Sequence, residues 1–259
     1  MANAWIIGPH PVADVIGTAD AGYDSDNLAN DYAGVVWQLT VPGADYRSLI
    51  FDLGEDRPID TVMLFGLSGF SAGTSVAVRS RTAAQSEWQA RAAEQPVLAG
   101  TAGAGAGGGV MLVDLGATAS ARYVLVEFPN LSGTVRAARV VIGQRIALER
   151  NFSFGAGVGV KDLGNLEFSR RGVLLRARGA KLRTVSLTFS AVHRSEVEAL
   201  TQPLLERVGN TECIALVTDP ALDAMRQRRC YFGPLVGDLS QTWRRADAWE
   251  AKVNLVSAI

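Results

Sequence analysis

The chain has 259 residues, 48% hydrophobic and 20% charged, with a formal net charge of −1. That length holds one large or two ordinary domains, each with its own core. The charge balance is too mild to argue for nucleic acid by itself. No run of about 18 apolar residues spans a membrane, and two cysteines, Cys213 and Cys230, are too few for a disulfide scaffold or a zinc site.

The N-terminus, MANAWIIGPHPVADV, lacks the basic start and long apolar stretch of a secretion signal, so synthesis in a reducing cytoplasm is expected. The two histidines, His10 and His193, have no Ser or Cys nucleophile and acidic orienter at a recognisable spacing, so no catalytic triad is predicted. Charge is unevenly spread. Residues 1–150 carry 10 Lys+Arg against 15 Asp+Glu, and residues 151–259 carry 15 against 11. This change in kind predicts two units: 1–148, with an N-terminal arm, and 149–259.

In the first half, short apolar or alternating runs are broken by turn residues. The segments 35–41, 47–54, 59–67, 74–81, 110–116, 122–128 and 135–143 read as strands. In TSVAVRSR, Val76 and Val78 alternate with Ser75, Ala77 and Arg79, which gives one buried and one wet face. The expectation is a β-sandwich. The tract GTAGAGAGGG (100–109) has no side chains to pack a core and reads as a loop tip.

The stretch GYDSDNLANDYAGVVWQ (22–38), followed in order by FDLG, IDTVMLFG, SVAVRS, RYVLVEF and VVIG, resembles the galactose-binding-like, discoidin-type jelly rolls. The resemblance covers about residues 15–145. It implies ligand contact through loops at one end of the sandwich, sugars among the ligands. By position it singles out Asp24, Asn27 and Asp31 in the acidic turn and Tyr23, Tyr32 and Trp37 as aromatics. Trp37 reads as core, and Asn27 and Asp31 as makers of Asx turns rather than metal ligands.

The second half opens with RNFSFGAGVGVKDLG, which has the look of a phosphate cradle. A dinucleotide fingerprint needs a third glycine and then a helix. The third position falls on Val160 or Asp162, and no helical spacing follows. The prediction is a glycine-bearing strand or turn. Next come a strand over 182–192 and an amphipathic helix, with Ser195 and Glu198 as a capping box, Gly209 as its stop and a kink at Pro203. Strands over 213–219, 228–236 and 248–258 complete an α+β unit of antiparallel strands with one main helix.

RNFSFGAGVG, LRTVSLTFSAVHRSEVEAL, CIALVTDP and WEAKVNLVSAI together resemble tail-tip and baseplate proteins of long-tailed bacteriophages, with a second half similar to distal tail proteins. The resemblance implies a non-enzymatic virion structural protein at the tail tip. Its implied state is a homo-oligomeric ring (trimer or hexamer) that meets hub and tail-tube proteins, with a host glycan as an additional ligand. No cofactor or metal is expected, and without a recognition helix or aromatic-basic interleaving no sequence-specific DNA reading is expected either. Gly155, Gly157 and Gly159 would let an arm approach a neighbouring subunit. Arg170, Arg171, Arg176, Arg178 and Arg183, with Arg226, Arg228 and Arg229, form a basic patch open to three readings: solvent, subunit contact or DNA. The alternative function is a stand-alone carbohydrate-binding module of a bacterial surface or secreted protein. A glycan hydrolase would need two carboxylates across a cleft, and no such pair is recognisable.

Overall fold

The computed structural model describes residues 2–71, 73–98, 108–223, 225–237 and 240–259. The loop tip expected at 100–109 lies outside the described residues except for its last two glycines. The first half contributes β1 (Trp5–Ile7), β2 (Asp14–Gly17), β3 (Trp37–Leu67), β4 (Ser75–Arg81), β5 (Gln89–Pro96), β6 (Gly109–Ala137), β7 (Arg139–Gly143) and β8 (Arg145–Ile146). The second contributes β9 (Gly157–Asp162), β10 (Asn165–Phe168), β11 (Leu174–Ala177) and β12 (Lys181–Val192). After α1 (Arg194–Glu196) and α2 (Gln202–Val208) come β13 (Cys213–Val217), β14 (Cys230–Pro234), β15 (Gln241–Arg245) and β16 (Ala248–Val256).

β3 and β6 form one long antiparallel ribbon, paired from Trp37↔Ala137 to Leu67↔Gly109. Register shifts at Val41/Asp45 and Asp52/Arg57 bend it, because unpaired residues in a ladder raise the local twist and turn the strand. The turn residues that separate the predicted strands 35–41, 47–54 and 59–67 are therefore bends within β3, not chain reversals. Around the ribbon's middle the strand order is β2-β3-β6-β4-β5, and β7 joins β3 at Thr61–Phe65. Side chains from both stretches meet in one apolar core that includes Trp37, Phe51, Leu64, Val126 and Phe128. The expected β-sandwich is present.

The second half is α+β. In the sheet β15-β16-β12-β9, β12 turns Val185, Leu187 and Phe189 inward, under the helical run 194–208. Pro203 lies in the first turn of α2, directly after a π turn at Val197–Thr201. Proline has no N–H to donate and its ring crowds the preceding turn, and the wider π turn absorbs both defects. The expected kink is thus a π turn. The N-cap is His193, not Ser195: its backbone is extended at ψ 148°, and Glu196 Oε2 accepts the His193 N–H at 3.0 Å. Glu196 Oε1 also accepts the Glu149 N–H at 2.7 Å, so helix start and inter-half link share one carboxylate. The helix stops at Gly209, φ +53°.

A third layer lies between the two halves. The sheet β14-β13-β1-β8 is buried on both faces. Ile6, Ile214, Leu216 and Tyr231 point into the core of the second half. Trp5, Ile7, Val217 and Phe232 point the other way, onto Met63 and Phe65 of the sandwich. The N-terminal arm, grouped by sequence order with 1–148, pairs through β1 with β13 (Trp5↔Val217, Ile7↔Ala215). The reason is local: Trp-Ile-Ile has no polar side to give to water, so it needs cover on both faces. Polar keys close the seam. Gln227 Nε2 donates to Val110 O at 2.8 Å and its Oε1 accepts the Val110 N–H, so a side-chain amide mimics a neighbouring strand. Arg145 lies 4.3 Å from the Trp5 ring centre and pairs with Asp114 at 2.5 Å.

Candidate functional site

The loop over residues 18–36 holds the ligand candidates, and most of its polar groups are spent on its own shape. Asn27 Nδ2 donates to Val36 O at 3.0 Å, and Asn30 Nδ2 donates to Asn27 O at 2.7 Å. Asp31 forms an ion pair with buried Arg139 at 2.9 Å, while Arg139 donates to Leu28 O at 3.1 Å. Burial is the largest influence on Arg139 and lowers its pKa, against the pull of Asp31. Asn27 and Asp31 are therefore turn and anchor residues. Arg139, which the sequence did not single out, holds the loop to the sandwich. Trp37 is core, 1% exposed, and donates its indole N–H to Thr18 O at 2.9 Å.

Tyr23, Asp24 and Tyr32 remain at the surface, Tyr32 at 73% exposure. Asp20, nearby in the same loop, accepts from the Gln38 amide, Thr40 N–H and Thr40 hydroxyl at 2.8–3.0 Å. These hydrogen bonds hold its pKa below the usual carboxylate range.

A groove of about 340 Å³ between the halves is lined by His10, Asp31, Arg139, Arg207, Glu212 and Cys213. Burial pushes the Cys213 thiol up to about 12, so it is protonated at neutral pH and a poor nucleophile. His10 is tied to Pro58 O at 2.8 Å, with a pKa lowered mainly by desolvation. His193, the second histidine, caps the helix. Among the described residues no group of three His, Cys, Asp or Glu is placed to hold a metal ion, and no helix is long and apolar enough to cross a membrane.

The second candidate region is the arm over residues 154–181. Gly155, at φ +98°, turns the chain into β9, where Gly157 and Gly159 lie opposite Ser186 and Thr184 of β12. The glycine run opens an edge strand, not a helix, as the rejected phosphate reading required. Beyond β9 the hairpin β10–β11 pairs, among the described residues, only with itself, in the register Leu166↔Arg176 and Phe168↔Leu174. Opposed residues share a face, so Leu166, Phe168, Leu174 and Arg176 form one surface. Every residue from 154 to 181 except Ser169 is exposed, with Phe168 at 70%, Val158 at 73% and Val160 at 63%.

The basic patch divides in two. Arg226 is buried and donates to Leu112 O at 3.2 Å, and Arg229 pairs with Asp219 and Asp223. Arg183 lies 4.2 Å from the Tyr231 ring centre. These three are fold residues. Arg170 and Arg171 sit at the hairpin tip, where Ser169 Oγ accepts the Arg171 and Val173 N–H groups. Arg176 and Arg178 lie along and just beyond β11. None of these four guanidinium groups has a hydrogen-bond or ion-pair partner among the described residues. The alternation over Asn165–Phe168 and the apolar run Val173–Leu175 about the turn at Gly172 were the available signal for this hairpin.

Neither a protein-family model nor a curated protein matches this chain. Among solved structures it is similar to chitosan-binding module 1 derived from a chitosanase/glucanase of Paenibacillus sp. IK-5, at 12% identity and a TM-score of 0.43, over 53% of this chain and 99% of that one. It is also similar to CpGH89CBM32-6 of Clostridium perfringens, at 17% identity and a TM-score of 0.38, over 51% and 92%. A GH29 fucosidase of Ruminococcus gnavus in complex with fucose matches at 15% identity and a TM-score of 0.39, over 51% of this chain and 25% of that one. Likenesses of this size assign neither a family nor a ligand to the chain, and none of the three is named as a phage tail component.

Proposed function

We propose that this chain is a non-catalytic assembly subunit that self-associates through its arm within a larger particle. The observation that carries the reading is the exposed hairpin of the arm. A two-stranded hairpin is marginally stable on its own in water, and an exposed apolar patch beside an open strand edge is where another chain docks. Leu166, Phe168 and Leu174 on one face, with Val158 and Val160 on edge strand β9, supply that patch. The phage tail tip is the particle implied by the sequence resemblance, with hub and tail-tube proteins as further neighbours.

Two measurements test the proposal. Sedimentation velocity over a range of concentrations should show association of the full chain and its loss when residues 165–177 are replaced by a short Gly/Ser link. Antibody against the chain should label the tips of phage-like tails from the producing cells. A chain that stays monomeric, whose arm-shortened form still joins particles normally, would sink the reading.

A second reading, sugar contact at the loop end of the sandwich, is favoured by the exposed Tyr32 ring. Aromatic faces of this kind serve as apolar platforms with a polar tip. A glycan screen with the full chain and Tyr32→Ala tests it: a hit that survives the substitution removes Tyr32 from the site.

A further inference from the structure

We propose that the arm of one copy seats on the acidic face formed by residues 14–32 of the next copy, giving a head-to-tail contact. The inference rests on the assembly reading above and names the surface that receives the arm.

Charge identifies the pair. The arm, 154–181, holds six basic residues (Lys161, Arg170, Arg171, Arg176, Arg178 and Lys181) against Asp162 and Glu167. The first 46 residues hold six aspartates and no lysine or arginine. Asp31 and Asp45 are neutralised within the chain by Arg139 and Arg47. Asp14, Asp20, Asp24 and Asp26 have no cationic partner among the described residues.

These four belong to one surface. Asp26 Oδ1 accepts the Val15 N–H at 3.2 Å, Ser25 Oγ donates to Val15 O at 2.7 Å, and Tyr23 N–H donates to Asp20 O at 3.0 Å. Elsewhere in the chain arginines commonly meet a carboxylate, as Arg79 meets Glu127, Arg122 meets Asp52 and Arg244 meets Glu250. Unpaired cations on one element and unpaired carboxylates on another make a complementary pair, which gives register and specificity to a contact.

Apolar surface matches as well. Ile16 is 56% exposed and Tyr32 73% on the acidic side, facing a hairpin whose surface mixes Leu166, Phe168 and Leu174 with Arg176. A nucleic acid would satisfy the arginines but not the leucines and phenylalanine, so protein is the better fit. Among the described residues no hydrogen bond or ion pair joins the arm to residues 14–32 inside one chain. Because the two patches differ, the contact is heterologous, and repeated copies close into a ring or extend as a filament.

Charge exchange tests the proposal on the full-length chain. Arg176→Glu with Arg178→Glu reverses the arm. Asp14→Lys with Asp24→Lys reverses the face at two side chains that make no hydrogen bond among the described residues. Circular dichroism confirms that both variants fold, and sedimentation velocity reads their association. Each variant alone is expected to associate about tenfold or more weakly, because like charges now meet. An equimolar mixture should regain wild-type association, since each reversed arm finds a reversed face.

If the wild type associates and the face-reversed variant matches it, the receiving surface is elsewhere; the assembly reading survives. If the wild type stays monomeric but arm reversal blocks its entry into particles or its binding to DNA, the arm has a different partner and the proposal falls. A monomer indifferent to arm reversal in both assays removes the proposal and the assembly reading together.

Discussion

The sheet β14-β13-β1-β8 and the arm 154–181 are both built from short strands, yet the central strands of one are buried on both faces and the other is open. In β1, Trp5, Ile6 and Ile7 are all at most 9% exposed; in β10 and β11 every residue is exposed. Burying a large apolar side chain contributes about 1.5–3 kcal/mol, so the buried sheet holds the two halves together. The arm contributes little to the fold of a single chain. The contrast separates residues that maintain the chain from residues available to neighbours.

The largest expected effect comes from deleting residues 2–8. This takes Trp5, Ile6 and Ile7 from two apolar clusters at once, and the shortened chain should lose its cooperative thermal transition by calorimetry. A normal melt would mean that the halves stand without β1. Next, Phe232→Ala should cost about 3–5 kcal/mol in urea unfolding, because Phe232 is fully buried with its ring centre 5.4 Å from that of Phe65. Near-UV and far-UV signals should still move together; a split would show that the halves unfold separately.

A smaller, pH-dependent effect is expected at Asp52, on the sandwich. Arg122 donates to both Asp52 oxygens at 2.9 Å and holds its carboxyl below the usual range. As pH falls, the unfolded chain takes up this proton first, so the contribution is complete above about pH 4 and disappears as pH drops through the folded value. Asp52→Asn should be less stable than wild type at neutral pH, with the gap closing in acid. A gap that is constant with pH would point to geometry instead of charge. The smallest effect is expected in the arm: Phe168→Ser with Leu174→Ser should change unfolding free energy by no more than about 0.5 kcal/mol, while weakening association. A clear loss of stability in the monomer would show that the hairpin belongs to the fold after all.

Much of the site was readable and some was not, for identifiable reasons. Trp37 as core and the glycine run as strand follow from local chemistry, and the structure has both in those roles. The Asx turn expected at Asn27 and Asp31 is instead made by Asn30, whose Oδ1 accepts the Tyr32 N–H, while Asn27 donates to Val36 O and Asp31 pairs with Arg139. Arg139 was missed because its partner Asp31 and acceptor Leu28 are more than a hundred residues away. The arginine patch appeared uniform in the sequence, yet Arg226 is buried between halves while the Arg176 guanidinium has no partner among the described residues.

The sequence by itself determined the β-sandwich, the α+β second half, the disturbance at Pro203 and the excess of aspartate before residue 46, because periodicity, backbone restriction and charge are local properties. Only the tertiary structure decided that β1 crosses to the second half, that three predicted strands are one bent ribbon, and that the hairpin 165–177 is left uncovered. Those outcomes depend on which distant surfaces meet, and burial is a property of the pair of surfaces, not of either segment alone.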